Sequence, residues 1–88
     1  MSYKVTRFQD TPNPNALKCV LDRSPSATPR SYFTAAEAKD DPLGSKLFAI
    51  RGVTNVLIND GWITVCKAAD APWKPIRSAI ERVLGEAE

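Results

Sequence analysis

Hydrophobic and polar residues alternate in four short segments of the chain, and turn-forming residues separate these segments. Such alternation is typical of half-buried strands, and it predicts strands over Tyr3–Phe8, Ala16–Leu21, Val53–Ile58 and Gly61–Lys67. The last two strands form a hairpin around Asn59-Asp60-Gly61, because these residue types tolerate the positive φ of a tight turn. We also expect a short edge strand over Ser31–Thr34.

Two segments instead repeat their hydrophobic residues at helical spacing. The first helix begins after Asp41, a good N-cap, and ends near Gly52, which we expect to supply the left-handed residue after the helix. The second helix opens in the proline-bearing segment Asp70–Pro75, because proline is tolerated only in the first turn of a helix. Each helix presents an apolar stripe that needs a core to pack against.

The predicted order of elements is β-β-α-β-β-α, which is typical of an α+β fold. Short connections join sequential strands, so these strands are expected to pair antiparallel. We therefore predict one domain over residues 1–88, a two-layer sandwich in which a small, mainly antiparallel sheet has two helices on one face. The predicted core consists of Leu17, Leu47, Ile50, Ile63, Val65, Ile76, Ile80 and Val83.

The amino-acid composition indicates a folded protein, and the net charge argues against nucleic acid as its partner. Of the 88 residues, 43% are hydrophobic and 25% are charged, close to the usage of ordinary globular domains. The net charge of +2 is small for the strongly basic surface that nucleic-acid binding usually needs. No segment approaches the roughly 18 apolar residues of a membrane span, and Met1–Lys4 leads into a strand without an apolar leader. We expect a cytoplasmic protein.

Catalytic and metal-binding chemistry has few candidates in this chain. The sequence has no histidine, which removes the commonest general base and most zinc sites. The two cysteines, Cys19 and Cys66, are far apart, and strand alternation predicts them on opposite faces of the sheet, where they can neither pair nor chelate one ion. We therefore expect no catalytic residues and no metal site. A metal or cluster shared through a dimer is the alternative interpretation of the cysteines.

Four segments of the sequence resemble one known family. Thr11–Lys18 (TPNPNALK) is similar to the opening of the amino-terminal domain of Nfu/NifU-like iron–sulfur scaffold proteins, and Asp41–Val53 resembles the helix-and-turn block of that domain. Trp62–Lys67 resembles its last strand, and Trp73–Ile76 resembles the start of its terminal helix. The resemblance covers essentially the whole chain. It implies a non-catalytic role in iron–sulfur cluster assembly or delivery, through contacts with protein partners of that pathway.

The cluster-binding motif of the full-length family has no counterpart in this sequence. In that family the cluster is held by a CxxC motif in a separate carboxy-terminal domain, and these 88 residues contain no CxxC. Two separated thiols do not supply the four ligands that a cluster normally takes. We therefore expect that this chain alone binds no cofactor.

Eight residues are candidates for a partner-binding surface. They are Thr11, Pro12, Asn13, Pro14 and Asn15 in one loop, with Lys18, Trp62 and Thr64 on the sheet face away from the helices. The loop is stiff and polar, as docking loops often are, although its two prolines can also serve only to stabilise a turn. Trp62 is of the residue type that anchors protein interfaces. The alternative function is a small single-stranded RNA-binding α+β module, with Trp62 as a platform for a base.

Overall fold

Two helices lie on one face of a five-stranded antiparallel sheet in the computed structural model, which describes residues 3–23 and 28–86. In chain order the elements are β1 (Val5–Asp10), β2 (Ala16–Leu21), β3 (Arg30–Tyr32), α1 (Pro42–Phe48), β4 (Val53–Ile58), β5 (Trp62–Lys67) and α2 (Trp73–Glu86). Across the sheet the strands are ordered β1-β2-β5-β4-β3. The predicted two-layer α+β fold is confirmed.

Two hairpins form most of the sheet, and their inner strands pair in its centre. β1 pairs with β2, and β4 pairs with β5 across the turn at Gly61, whose φ of 81° is positive, as the sequence predicts. β2 and β5 then pair antiparallel, with Leu17 opposite Val65 and Cys19 opposite Ile63. Alternate residues of the two central strands therefore face the helices.

The core lies between the sheet and the helices. All eight predicted core residues are buried there, with at most 8% of any of them exposed. α2 contributes Ile76, Ile80 and Leu84, because residues three or four positions apart share one side of a helix. Truncation of a buried leucine or isoleucine to alanine costs about 2–5 kcal/mol, so this face of the sheet dominates the stability of the fold.

Besides β5, which begins at Trp62 rather than at Gly61 in the turn, two strands differ in extent from the sequence prediction. β1 begins at Val5 and continues to Asp10, because its pairing with β2 extends to the edge of the intervening loop. The edge strand β3 is Arg30–Tyr32 rather than Ser31–Thr34, since only these residues find partners along β4. Both differences are set by the neighbouring strand.

The end of α1 also differs from the prediction. The helix ends at Phe48, and its C-cap residue Ala49 keeps a right-handed conformation with φ −70° and ψ −15°. Gly52 therefore does not terminate the helix. It does have a positive φ of 97°, in the turn that leads into β4, and a Cβ atom at this position would lie 2.9 Å from the Cβ atom of Ala71. Glycine is required here by both the backbone conformation and the close approach.

Asp41 joins α1 to the edge strand β3. Its Oδ1 atom accepts hydrogen bonds from the backbone N–H groups of Leu43 at 3.1 Å and Gly44 at 3.2 Å, which confirms the predicted N-cap. Its Oδ2 atom accepts the hydroxyl of Tyr32 at 2.7 Å and lies 2.9 Å from Nη1 of Arg30. The hydrogen bond to this carboxylate is the main cause that raises the pKa of Tyr32. One buried side chain thus holds a helix and a strand together.

Candidate interaction surface

The sheet face opposite the helices is uncovered in the part of the chain that the structure describes. Alternate residues of β2, β4 and β5 form this surface, which we call the open face, and every one of them is partly exposed. The open face consists of Ala16, Lys18, Val20, Asn55, Leu57, Trp62, Thr64 and Cys66. It combines apolar, polar and basic side chains, a composition suited to contact with another macromolecule.

Lys18, Trp62 and Thr64 lie together on the open face, as predicted from strand alternation. Lys18 is directly opposite Thr64, and Val20 is directly opposite Trp62. The ammonium group of Lys18 lies 4.6 Å from the centroid of the Trp62 ring, within the range of a cation–π interaction. This contact places a positive charge over one face of the indole ring.

The Thr11–Asn15 loop is ordered by its own polar side chains. The Oγ1 atom of Thr11 accepts a hydrogen bond from the backbone N–H of Asn13 at 3.2 Å and lies 2.8 Å from the carbonyl oxygen of the same residue. The Oδ1 atom of Asn13 in turn accepts the backbone N–H of Asn15 at 2.9 Å. These are the local turns that threonine and asparagine favour, so the loop presents a fixed backbone.

Lys67 and Trp73 attach this loop to the rest of the fold. The Nζ atom of Lys67, a residue only 9% exposed, donates hydrogen bonds to Oδ1 of Asn15 at 3.0 Å and to the carbonyl oxygen of Ala68 at 3.3 Å. Trp73 donates from its indole nitrogen to the carbonyl oxygen of Pro14 at 2.9 Å, and the Lys67 ammonium lies 5.4 Å from its ring centroid. The Thr11–Asn15 loop therefore packs against the start of α2.

Sequence reasoning missed Lys67 and the loop contact of Trp73. A signal for Lys67 exists, because it continues the alternation of Ile63 and Val65 and so must lie on the helix-covered face of β5. A lysine at such a position needs hydrogen-bond acceptors, which points to a polar partner at that end of the sheet. Nothing in the alternation indicates that the partner is Asn15.

The eight predicted residues form two groups at different places along β2. The loop ends where β2 begins, whereas Trp62 pairs with Val20, four residues further along the strand. Four residues of strand span about 13 Å, and Lys18 lies between the two groups. The loop faces the start of α2, and the Lys18–Trp62 pair faces away from both helices. Partner binding by either group stays a prediction.

The two cysteines lie on opposite faces of the sheet, as predicted. Cys19 is fully buried in the core, and burial raises the pKa of its thiol to about 12, while the positive charge of Arg77 offsets part of this effect. Cys66 is on the open face, and partial burial raises the pKa of its thiol as well. Residues 3–23 and 28–86 contain no group of three histidine, cysteine, aspartate or glutamate side chains placed to hold a metal ion. These donors do not fit an iron–sulfur cluster, which needs accessible, converging thiolates.

A comparison with known protein families accounts for both the fold and the four sequence segments noted above. A family model described as "Scaffold protein Nfu/NifU N terminal" matches residues 5–87. The chain belongs to this family. The resemblance noted in the sequence is therefore confirmed over nearly its full length.

Relatives of the chain include longer proteins of the same family. A NifU-like protein from Schizosaccharomyces pombe is 34% identical over 91% of this chain, which spans 32% of that relative. The NFU1 iron-sulfur cluster scaffold homolog of Homo sapiens, named as mitochondrial, is 41% identical over 74% of this chain, which covers 26% of its length. The chain thus corresponds to about a third or less of each relative.

Solved structures show the same fold at low sequence identity. A NifU-like protein from Saccharomyces cerevisiae has a TM-score of 0.80 at 22% identity, and the match covers 97% of this chain and 77% of that one. A Staphylococcus aureus protein has a TM-score of 0.74 at 23% identity, covering 91% of this chain and 96% of that one.

In the described residues, no helix is both long and apolar enough to cross a membrane.

Proposed function

We propose that this domain is a non-catalytic interaction module in iron–sulfur cluster assembly or delivery, and that its open face binds a protein partner of that pathway. The observation that supports this best is a sheet face that the described residues leave uncovered and that carries the Lys18–Trp62 pair, in a domain of the scaffold family. Aromatic residues held in place before binding lose little conformational freedom on binding, which makes them effective interface anchors.

The names of the relatives support the pathway and the absence of catalysis. The human relative is named as an iron-sulfur cluster scaffold homolog, and the family model describes a scaffold protein. The chain matches only part of these relatives, so a role in the same pathway is our proposal for this domain.

The domain by itself is proposed to bind no cluster. Its two thiols are separated by the sheet, and the pKa of each is raised by burial, which disfavours the thiolate that iron requires. The test is anaerobic reconstitution followed by iron and sulfide analysis, with a Cys19→Ala, Cys66→Ala double variant as control. A stoichiometric cluster that disappears in the double variant would contradict this part of the proposal.

Single-stranded RNA binding is the second candidate. The Lys18–Trp62 pair offers a basic group beside an aromatic ring, but the net charge of +2 is small for nucleic-acid binding. The two functions differ in salt dependence, because RNA binding releases counterions and weakens steeply as salt rises. Binding of a labelled poly-uridine probe that persists at physiological salt and weakens steeply as salt rises further would favour RNA.

The decisive experiment is capture of partners from a native extract by the immobilised domain, identified by mass spectrometry. Trp62→Ala tests the open face. Phe33→Ala is the matched control, because Phe33 is a 66% exposed aromatic residue outside the open face. We expect cluster-assembly or cluster-recipient proteins to be captured by the wild type and by Phe33→Ala but not by Trp62→Ala. Capture of ribonucleoproteins alone would contradict the proposal.

A cytoplasmic location remains part of the proposal as the sequence predicts it. The human relative is named as mitochondrial, so the location of this chain needs its own measurement. Cell fractionation with an antibody to the native protein decides between the two compartments.

A further inference from the structure

An open groove of about 990 Å³ lies on the helix side of the domain, opposite the open face. One wall is the turn between α1 and β4, residues 49–52, and the other wall is the first three turns of α2. Buried Ile50 and Ile76 form its base, and the partly exposed side chains of Ala71 and Ala79 line it. The groove is therefore an apolar surface separate from the open face.

The shape of the groove follows from small residues held at close range. The side chains of Ala71 and Ala79 end at Cβ, so the two walls cannot fill the space between them. Gly52 approaches Ala71 so closely that a Cβ atom on this glycine would lie 2.9 Å from that of Ala71. The carbonyl oxygen of Gly52 also accepts a hydrogen bond from the backbone N–H of Ala68 at 2.9 Å, which fixes the turn against the segment before α2. These two contacts hold the wall formed by the turn in place.

Two arginines line the groove, one on each wall. Arg51 is in the turn after α1, Arg82 is on α2, and both are exposed. Within residues 3–23 and 28–86, neither Arg51 nor Arg82 forms an ion pair with a carboxylate. This arrangement complements a partner segment that has an apolar side chain next to a carboxylate. The apolar side chain would contact the base of the groove, and arginine binds carboxylates in a bidentate geometry.

Asp70 is the acidic residue of the groove lining. It lies before the first turn of α2, whereas Arg82 is nine residues beyond the start of that helix, about 13 Å along its axis. Arg51 precedes Gly52, which packs against Ala71 beside Asp70, so the positive charge furthest from Asp70 is that of Arg82.

We propose that this groove binds an acidic, amphipathic segment of a partner protein, with an apolar side chain over Ile50 and Ile76 and its carboxylates on Arg51 and Arg82. The groove and the open face are on opposite sides of the sheet, so one domain can hold two partners at the same time. Such an arrangement would let the domain bring two proteins together, and it requires the groove to bind independently of Trp62.

The test uses a fluorescein-labelled synthetic helix that has leucines on one side and glutamates on the other, titrated with the whole chain. Fluorescence anisotropy gives Kd, and amide shifts in ¹⁵N spectra locate the contact. The double variant Arg51→Gln, Arg82→Gln should weaken binding about tenfold, from the loss of two charge pairs. Arg77→Gln is the matched control, since Arg77 is also exposed on α2 but lies over the Phe8 ring, away from the groove. It should change Kd less than about twofold, as should Trp62→Ala.

Each result of this experiment bears on the proposal. Amide shifts confined to the two walls, with selective loss in the double variant and weaker binding of a glutamine-substituted peptide, support the groove. Equal losses in Arg77→Gln and the double variant would indicate nonspecific attraction and overturn it. No binding by the wild type, or shifts centred on Lys18 and Trp62, would also overturn it. Thermal unfolding of each variant confirms that the fold is intact.

Discussion

Replacement of Asp41 by alanine is expected to destabilise the fold severely, although Asp41 contacts no partner surface. The side chain is 7% exposed and serves three structural roles at once. It caps α1, accepts the Tyr32 hydroxyl and pairs with Arg30. Removal of this carboxylate therefore releases both the helix and the edge strand.

The magnitude follows from the three interactions. Loss of an N-cap costs about 1 kcal/mol. A part-buried hydrogen bond to a charged group contributes about 1.5–3 kcal/mol. The pair with Arg30, whose side chain is 40% exposed, adds at most about 1 kcal/mol because solvent screens it. Since interactions that share one carboxylate are not additive, we expect a total loss of about 3 kcal/mol. That is a large fraction of the stability of about 4–13 kcal/mol expected for a chain of this length.

Urea unfolding followed by tryptophan fluorescence measures this loss as a change in the midpoint at constant m. Asp40→Ala is the matched control, because Asp40 is the exposed neighbour of the same residue type. It should cost less than about 0.5 kcal/mol. Asp41→Asn retains an oxygen that can cap the helix but removes the charge, so it should cost about half as much as Asp41→Ala. The reasoning is refuted if Asp41→Ala and Asp40→Ala have the same midpoint.

Four further predictions concern the sheet and the loop. Trp62→Ala should weaken partner capture by roughly 1–3 kcal/mol yet lower the unfolding free energy less than Ile63→Ala, for which we expect about 2–5 kcal/mol; equal losses of stability would place Trp62 in the core. In native protein a thiol reagent should modify Cys66 but not Cys19 until denaturant is added. The pKa of Cys19 rises from 9.0 to about 12 on folding, so the stability it contributes is complete below pH 9 and declines as pH rises towards 12. Cys19→Ala should make the alkaline loss of stability in urea titrations smaller, and the raised pKa values of Cys66 and Tyr32 should retain part of that loss. Trp73→Phe should lose the indole hydrogen bond to the loop and about 1 kcal/mol of stability, with faster amide exchange confined to the loop if the assignment is right.

Local patterns were sufficient to predict the elements that local chemistry specifies. The bounds of β2 and β4 agree with the sequence prediction, because alternation along a strand is a property of neighbouring residues. The Asp41 N-cap was predicted for the same reason, since the capping carboxylate and its N–H donors are two and three residues apart. The predicted end of α1 was wrong, because the helix ends at Phe48 and not near Gly52. Gly52 is in a positive-φ conformation, but its position is set by a close approach to Ala71 that sequence spacing does not show.

The candidate surface likewise has one part that sequence alternation predicts and one part that only the tertiary structure shows. Alternation placed Lys18, Trp62 and Thr64 on one face of the sheet, and the residues that the structure describes leave that face uncovered. The cation–π contact of Lys18 with Trp62 depends on the pairing of β2 with β5. Those strands are far apart in sequence, and no local rule specifies their register.

The sequence by itself determined the identity of the strands and helices, the faces they bury and the family to which the chain belongs. Tertiary structure alone decided the strand order β1-β2-β5-β4-β3 and the attachment of the loop through Lys67 to Asn15 and through Trp73 to Pro14, contacts that join residues 52 and 59 positions apart. The physical reason is that periodicity and capping depend on neighbouring residues, which one stretch of sequence displays in full. A long-range contact forms only when folding of the whole core brings distant segments together. Many sequences with the same hydrophobic pattern satisfy that condition with different pairs of contacting residues.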